Sequence, residues 1–241
     1  MLQQILKKIL PKAVKEKIIE FRNNNLDGYA TKSYSQEGED MILKRLFGGQ
    51  KFGFYVDVGA HHPKRFSNTY YFYKKGWRGI NIDAMPGSMV AFDKLRPRDI
   101  NIERPISDKK QILTYYAFNE PALNTFSKEL AVEYENGNYF IKFTRDIETT
   151  TLEDVLDRNL PKNQDIDFLS VDVEGLDFMV LKSNNFEKYK PKIVLIEILG
   201  NSFSENNKIA DYLRQCGYSI FAKTVNTVFF INNGFKKDKP L

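Results

Sequence analysis

The chain has 241 residues, of which 42% are hydrophobic, 14% aromatic and 28% charged, a composition that can bury a sizeable core. Its net charge of +5 sits at the ends: residues 1–27 carry six basic and three acidic side chains, and residues 232–241 carry three Lys and one Asp. Residues 28–231 are therefore neutral, which argues against nucleic acid as the substrate, because such enzymes line their groove with positive charge.

A single cysteine, Cys216, excludes an intrachain disulfide and suits a reducing, cytoplasmic compartment. It falls in an apolar helical pattern with Ile209, Tyr212 and Leu213 and reads as buried core. No apolar run is long enough to span a bilayer. The N-terminus does not read as a signal peptide, since Lys7 and Lys8 interrupt its apolar residues.

Leu2, Ile5, Leu6 and Ile9 have amphipathic helix spacing; Pro11 interrupts it, and Val14, Ile18 and Phe21 resume it. Residues 1–30 read as a helical extension that docks on the domain or on a second copy. The alternative is a basic amphipathic segment touching an anionic membrane at the cytoplasmic face. Asn23–Gly28 is a turn or linker, and residues 31–241 form one domain.

Strands are expected at 54–58, 79–83, 100–102, 166–173 and 192–198. Helices are expected at 86–96, from 150, at 176–183 and at 205–216. Thr150 and Glu153 form a capping-box pattern. Strands alternating with helices imply an α/β fold with a mostly parallel sheet and helices on both faces. Residues 219–222 and 228–231 read as an antiparallel hairpin closing the sheet. Residues 119–149, aromatic and polar without periodicity, are placed to cover a substrate.

In such sheets ligands sit at the carboxyl ends of the strands. The first strand ends in Asp57-Val58-Gly59-Ala60-His61-His62-Pro63. Gly59 lets the backbone turn tightly toward a ligand, and Asp57 could accept a hydrogen bond from a cationic amine. The three glycines that cradle a pyrophosphate are missing, with His61 and His62 in their place, which disfavours an NAD-linked sugar oxidoreductase. The second strand ends in Asp83, suited to the hydroxyls of a ribose, with helix capping as the structural alternative, although Ser88 is better placed for that. Ser107-Asp108 follow the third strand and could bond an adenine amino group or form a plain turn. Asp172 and Glu174 follow the fourth strand and share a face if strand geometry persists. Glu197 ends the fifth. Trp77 and the Tyr70–Tyr73 run could stack sugars, as a noncatalytic glycan- or membrane-binding module would require, but read more simply as core.

Ser35-Gln36-Glu37-Gly38-Glu39-Asp40, Val56–Ala60, Ser67-Asn68-Thr69, Gly79–Asp83, Thr151–Asp154 and Asp172–Gly175 together resemble the successive signatures of FkbM-family methyltransferases, over roughly residues 33–200. The resemblance implies a class I, Rossmann-like methyltransferase fold with S-adenosylmethionine (SAM) as methyl donor. It implies a hydroxyl acceptor on a sugar, glycan precursor or polyketide, as in polysaccharide or natural-product biosynthesis. It implies that Asp57 and Gly59 hold the methionine end of SAM, Asp83 the ribose and Ser107 or Asp108 the adenine, with Gln36 and Asp172 also in the cofactor site.

Methylating a hydroxyl requires removal of its proton. His62, and second to it His61, is the expected base, His62 because Pro63 biases it to an extended geometry that aims it outward. Asp172 and Glu174 are further catalytic candidates. The alternative is Mg²⁺ held by Asp172 and Glu197.

Overall fold

The computed structural model describes residues 11–198 and 208–235. The expected helix over Leu2, Ile5, Leu6 and Ile9, and the start of the expected helix at 205, lie outside these. The chain divides into two compact units, residues 1–33 and residues 34–241.

In the first unit, helix α1 spans Lys12–Asn25. Pro11 stands at its N-cap, where a fixed φ and a missing N–H cost nothing, so it begins this helix. None of its residues is buried.

In the second unit, a seven-stranded sheet has the order β3-β2-β1-β6-β7-β9-β8. The strands are β1 Phe54–Val58, β2 Arg78–Asp83, β3 Ile100–Glu103, β6 Phe168–Val171, β7 Ile193–Glu197, β8 Tyr218–Lys223 and β9 Thr227–Asn232. The first five pair in parallel, and β9 pairs antiparallel with β7 and with β8. The hairpin therefore closes the sheet through its second strand. Central strands are apolar on both faces because helices cover both. Val56, Ile80, Leu169, Val194 and Phe230 belong to one core, and Tyr55, Phe168, Leu195 and Phe229 to the other.

The covering helices are α2 Glu39–Phe47, α3 Tyr70–Lys74, α4 Met89–Leu95, α6 Leu152–Asn159, α7 Asp177–Lys182 and α8 Lys208–Gln215. Helix α2 has Glu39 and Asp40 in its first turn and Lys44 and Arg45 in its last, the arrangement its dipole favours. Thr151 caps α6, its hydroxyl accepting from the Asp154 amide at 3.1 Å. The capping pattern is thus one residue later than Thr150 and Glu153. Ser88 stands at the N-cap of α4, but its side chain makes no capping bond. Trp77 and Phe72 are core, whereas Cys216 is only half-buried against Tyr212.

Between β3 and α6 the chain leaves the main sheet. Strands β4 Ile112–Phe118 and β5 Ile141–Glu148 pair antiparallel as a separate two-stranded sheet. A short turn at Pro121–Leu123 and helix α5 Lys128–Glu135 lie between them. Alternation in β5 is polar-rich, which is why periodicity alone does not mark it. No described helix is long and apolar enough to cross a membrane.

Because the cores belong to residues 34–241, a chain lacking residues 1–33 is expected to keep the circular dichroism spectrum of that unit and a single cooperative melt. A non-cooperative melt would show that the extension is needed for the domain.

Candidate active site

The parallel strands deliver their carboxyl ends to one cavity of about 350 Å³. Backbone bonds zip these ends together. The Gly59 and Ala60 amides donate to the Ile82 carbonyl at 2.9 and 3.0 Å, and the Asp172 amide donates to the Val58 carbonyl at 3.0 Å. Gly59 has φ of 84°, and a Cβ there would overlap the backbone carbonyl oxygen of Asp172. Only glycine meets both demands.

That turn sets the next two groups. The His61 amide donates to Asp83 Oδ2 and the Met85 amide to Asp83 Oδ1, each at 2.8 Å. Asp83 is thus fixed by two loops at the rim of β2. Burial raises its pKa, and the two backbone donors oppose the rise. The imidazole of His61 is in the cavity wall, stacked on Phe66 with centroids 6.5 Å apart. Its Nε2 is shielded from water and has no hydrogen-bond partner among the described residues. Desolvation, then Arg65, lowers its pKa, so it is neutral.

Of the residues expected in the site, Gln36, Gly59, His61, Asp83, Asp172, Glu174 and Glu197 line the cavity. His62, Asp57, Ser107 and Asp108 do not. His62 folds into its own loop, where Nδ1 accepts from the Lys64 and Arg65 amides at 3.1 and 3.0 Å. Pro63 does not aim it outward.

Asp57 faces the opposite side of β1 from Val58. Its Oδ2 accepts from Thr69 Oγ1 at 2.9 Å, and that hydroxyl accepts from Arg96 at 2.9 Å. Arg96 also donates to Asp99 at 2.8 Å and to the Tyr55 hydroxyl at 2.9 Å, all without exposure to solvent. Ser107 is fully buried among Asp108, Gln111 and Met179.

The far end of the cavity is acidic. One oxygen from each of Asp172, Glu174 and Glu197 lies within 4.8 Å of the others. Asp172 and Glu174 meet there although strand geometry ends at Val171; Glu174 reaches the cavity through a left-handed backbone, φ 50°, followed by Gly175 at 100°. Asp177 ties this turn, its two oxygens each accepting at 3.1 Å from the Val173 and Gly175 amides. Asp172 is exposed and lines the cavity. Burial, and then the Glu197 charge, pushes its carboxyl well above the usual range. Burial raises Glu174 to about 6, with the Tyr134 hydrogen bond opposing. Burial raises Glu197 to about 7, with the charges of Glu174 and Asp177 adding to it.

The two-stranded insertion covers this end. Tyr115, residues 120–124, Phe126 and Tyr139 line the cavity. Thr125 Oγ1 donates to the Glu174 carbonyl at 2.6 Å, and the Tyr134 hydroxyl donates to Glu174 Oε2 at 2.9 Å. Arg65 and Glu120 pair at 3.2 Å across the cavity wall. The aromatic and polar character of residues 119–149 points to this cover, but Tyr115 lies outside that segment.

Comparison with known proteins gives a match to the family described as Methyltransferase FkbM domain, over residues 57–220. No curated protein matches. Among solved structures, the chain is similar to a TehB-like SAM-dependent methyltransferase from Corynebacterium glutamicum. The identity is 11%, with 92% of this chain and 100% of that chain covered and a TM-score of 0.43. It is also similar to a protein assigned as an O-methyltransferase from Klebsiella pneumoniae, at 11% identity, 95% of each chain and a TM-score of 0.40.

The acidic corner has a cost in stability. A carboxyl whose folded pKa is raised is favoured while protonated, and that contribution is lost as pH rises through the folded value. For Glu197 the window runs from the ordinary glutamate range to about 7. In thermal melts, the stability of Glu197→Gln relative to wild type is expected to increase from pH 5 to pH 7 and to level off above. A difference independent of pH would contradict the buried, crowded carboxylate.

Proposed function

The chain belongs to the FkbM methyltransferase domain family; on that footing we propose that it takes its methyl group from SAM and that its acceptor is a hydroxyl of a sugar or glycan precursor. What supports this is that one cavity is lined both by the aromatic residues Phe66, Phe126 and Tyr139 and by the carboxylates Glu174 and Glu197. A sugar ring packs its apolar face on aromatics while its hydroxyls donate to carboxylates.

In this reading SAM lies over the strand ends. Asp83 accepts from the ribose hydroxyls, beside the two backbone donors it already has. The adenine packs against Met85, Pro105 and Ile106, which line the cavity, in place of Ser107 and Asp108. Gly59, Gln36 and Asp172 adjoin the methionine end. Asp57 acts from behind the sheet, holding the loop rather than the ligand. Asp83→Ala is expected to weaken SAM binding by roughly 1.5–3 kcal/mol for each charge-assisted hydrogen bond lost. Isothermal titration would measure it, and unchanged affinity in a folded variant would refute the assignment.

Held by Gln36, Gly59, Asp83 and Asp172, SAM would supply the methyl group on its sulfonium, the sulfur keeping the electron pair of the C–S bond as the acceptor oxygen takes the methyl carbon. The chain's part is to align the acceptor and take its proton. Glu174 is the best-placed base. One of its oxygens is fixed by Tyr134, and its pKa of about 6 leaves it ionised at neutral pH. His61 is neutral and in the wall, but its Nε2 is shielded.

The rate is therefore expected to rise with pH through about 6 and then level. Glu174→Gln should slow turnover by about 10²–10⁴ while SAM still binds. A divalent cation is the second reading, favoured by the three convergent carboxylates, since Mg²⁺ takes oxygen ligands and lowers the pKa of a bound hydroxyl. Full activity in Glu174→Gln would exclude that residue as base. Loss of turnover with EDTA, restored by Mg²⁺, would move the proton-removing role to the metal.

A further inference from the structure

Around α3, lysines from α2, from the loop before α3 and from α3 and its C-cap are set among aromatic rings. The Lys44 and Lys75 ammonium groups lie 5.8 and 5.7 Å from the centre of the Tyr71 ring. Lys64 lies 5.8 Å from the Tyr70 ring, and Lys74 lies 5.2 Å from the Tyr34 ring and donates to its hydroxyl at 2.8 Å. Tyr34 meets Tyr70 edge-on at 4.8 Å, so these rings and cations are continuous. Among the described residues none of the four lysines has a carboxylate within salt-bridge distance. The adjoining loop, joined to the end of this segment by the Arg78 amide and Gly53 carbonyl at 3.2 Å, presents Phe52 at 70% exposure beside Lys51.

We propose that this face docks on an anionic membrane surface. Four neighbouring ammonium groups with no carboxylate partner among the described residues repel one another, and a layer of anionic headgroups relieves that repulsion. Lysine suits such a layer because it is a flexible point charge whose stem lies along apolar surface. Half-buried tyrosines, amphipathic side chains with a polar tip, suit the boundary between headgroups and hydrocarbon, and the exposed Phe52 ring gains by leaving water. An acidic polymer would be better held in a groove with planar, bidentate arginines. Lys64 shares its loop with His61, Arg65 and Phe66, so docking brings one wall of the cavity to the membrane surface, in reach of an acceptor carried there.

The test is cosedimentation of the full chain with vesicles of phosphatidylcholine alone or mixed with phosphatidylglycerol. Binding is expected only to the anionic vesicles, and is expected to weaken with salt. The triple variant Lys44→Gln, Lys74→Gln, Lys75→Gln should bind them roughly 5-fold more weakly for each lysine, on the order of 100-fold in all. Its SAM affinity should stay that of wild type, which also reports that it folds. Anionic-vesicle binding that the triple variant keeps would overturn the proposal, and so would a wild type that ignores these vesicles. Retention of wild type but not the variant on dextran sulfate, without vesicle binding, would overturn it in favour of an acidic polymer.

Discussion

The site depends on one close approach, that of Gly59 to the carbonyl oxygen of Asp172. Two strand-end loops meet there with no room for a Cβ. The contact turns the chain sharply after β1, and the following amide, that of His61, then reaches Asp83 on the neighbouring strand. Three strands are thereby clamped at their carboxyl ends before any ligand binds. A side chain at position 59 would separate them and move Asp83 and Asp172 apart. Preorganisation of this kind costs stability in the empty protein and is repaid on binding.

Electrostatics follow from the same convergence. Parallel strands bring Asp172 and Glu197 side by side, since β6 and β7 are neighbours, and the turn after β6 adds Glu174. Among the described residues no lysine or arginine lines that corner; the two arginines in the wall are Arg65, committed to Glu120, and Arg104. Like charges so close cannot all remain ionised without a cation, so burial and mutual repulsion push their pKa values up together. A sulfonium, a metal ion or shared protons each satisfy this excess. The insertion does not neutralise it but orients it: Thr125 and Tyr134 hold Glu174 by its carbonyl and its carboxylate.

The sheet was legible because its strands are short apolar runs ended by Gly, Asp or Glu, and β1 falls at the expected 54–58. Helices α6, α7 and α8 carry a hydrophobic period that their sequences display. Helix α3 does not, since Tyr70-Tyr71-Phe72-Tyr73 is aromatic all round and only the fold decides which rings are buried. Strand β5 escaped for another reason: it is exposed along most of its length and shows no buried run, whereas β4, with Tyr115, Ala117 and Phe118 buried, pairs only with it outside the main sheet. In the site, acids at strand ends were readable as a set. Whether a given side chain faces the cavity was not, as His61 and His62 show. They are adjacent and chemically alike, yet a left-handed residue at His61, φ 51°, places its ring in the wall and sends His62 into the loop.

Asp57 shows the same limit and what the fold does about it. It precedes the end of β1 by one residue, so strand alternation points it away from the face of Val56 and Val58. It lies level with Asn81 on β2 and Ser170 on β6, in a polar row within the sheet. A carboxylate there has lost water, and burial alone would raise its pKa; the Arg96 charge opposes that rise. Arg96 is itself buried and needs more than one partner, which Asp99 and the Tyr55 hydroxyl supply. Such a network is rarely a net source of stability compared with apolar packing, but removing one member strands the others. Its value here is geometric. It fastens β1, through Thr69 and Asp57, to the loop that precedes β3, directly behind the turn on which Gly59 and Asp172 meet. An acid expected to touch the ligand thus lies in this buried network instead, on the opposite side of β1 from Val58 and outside the cavity lining.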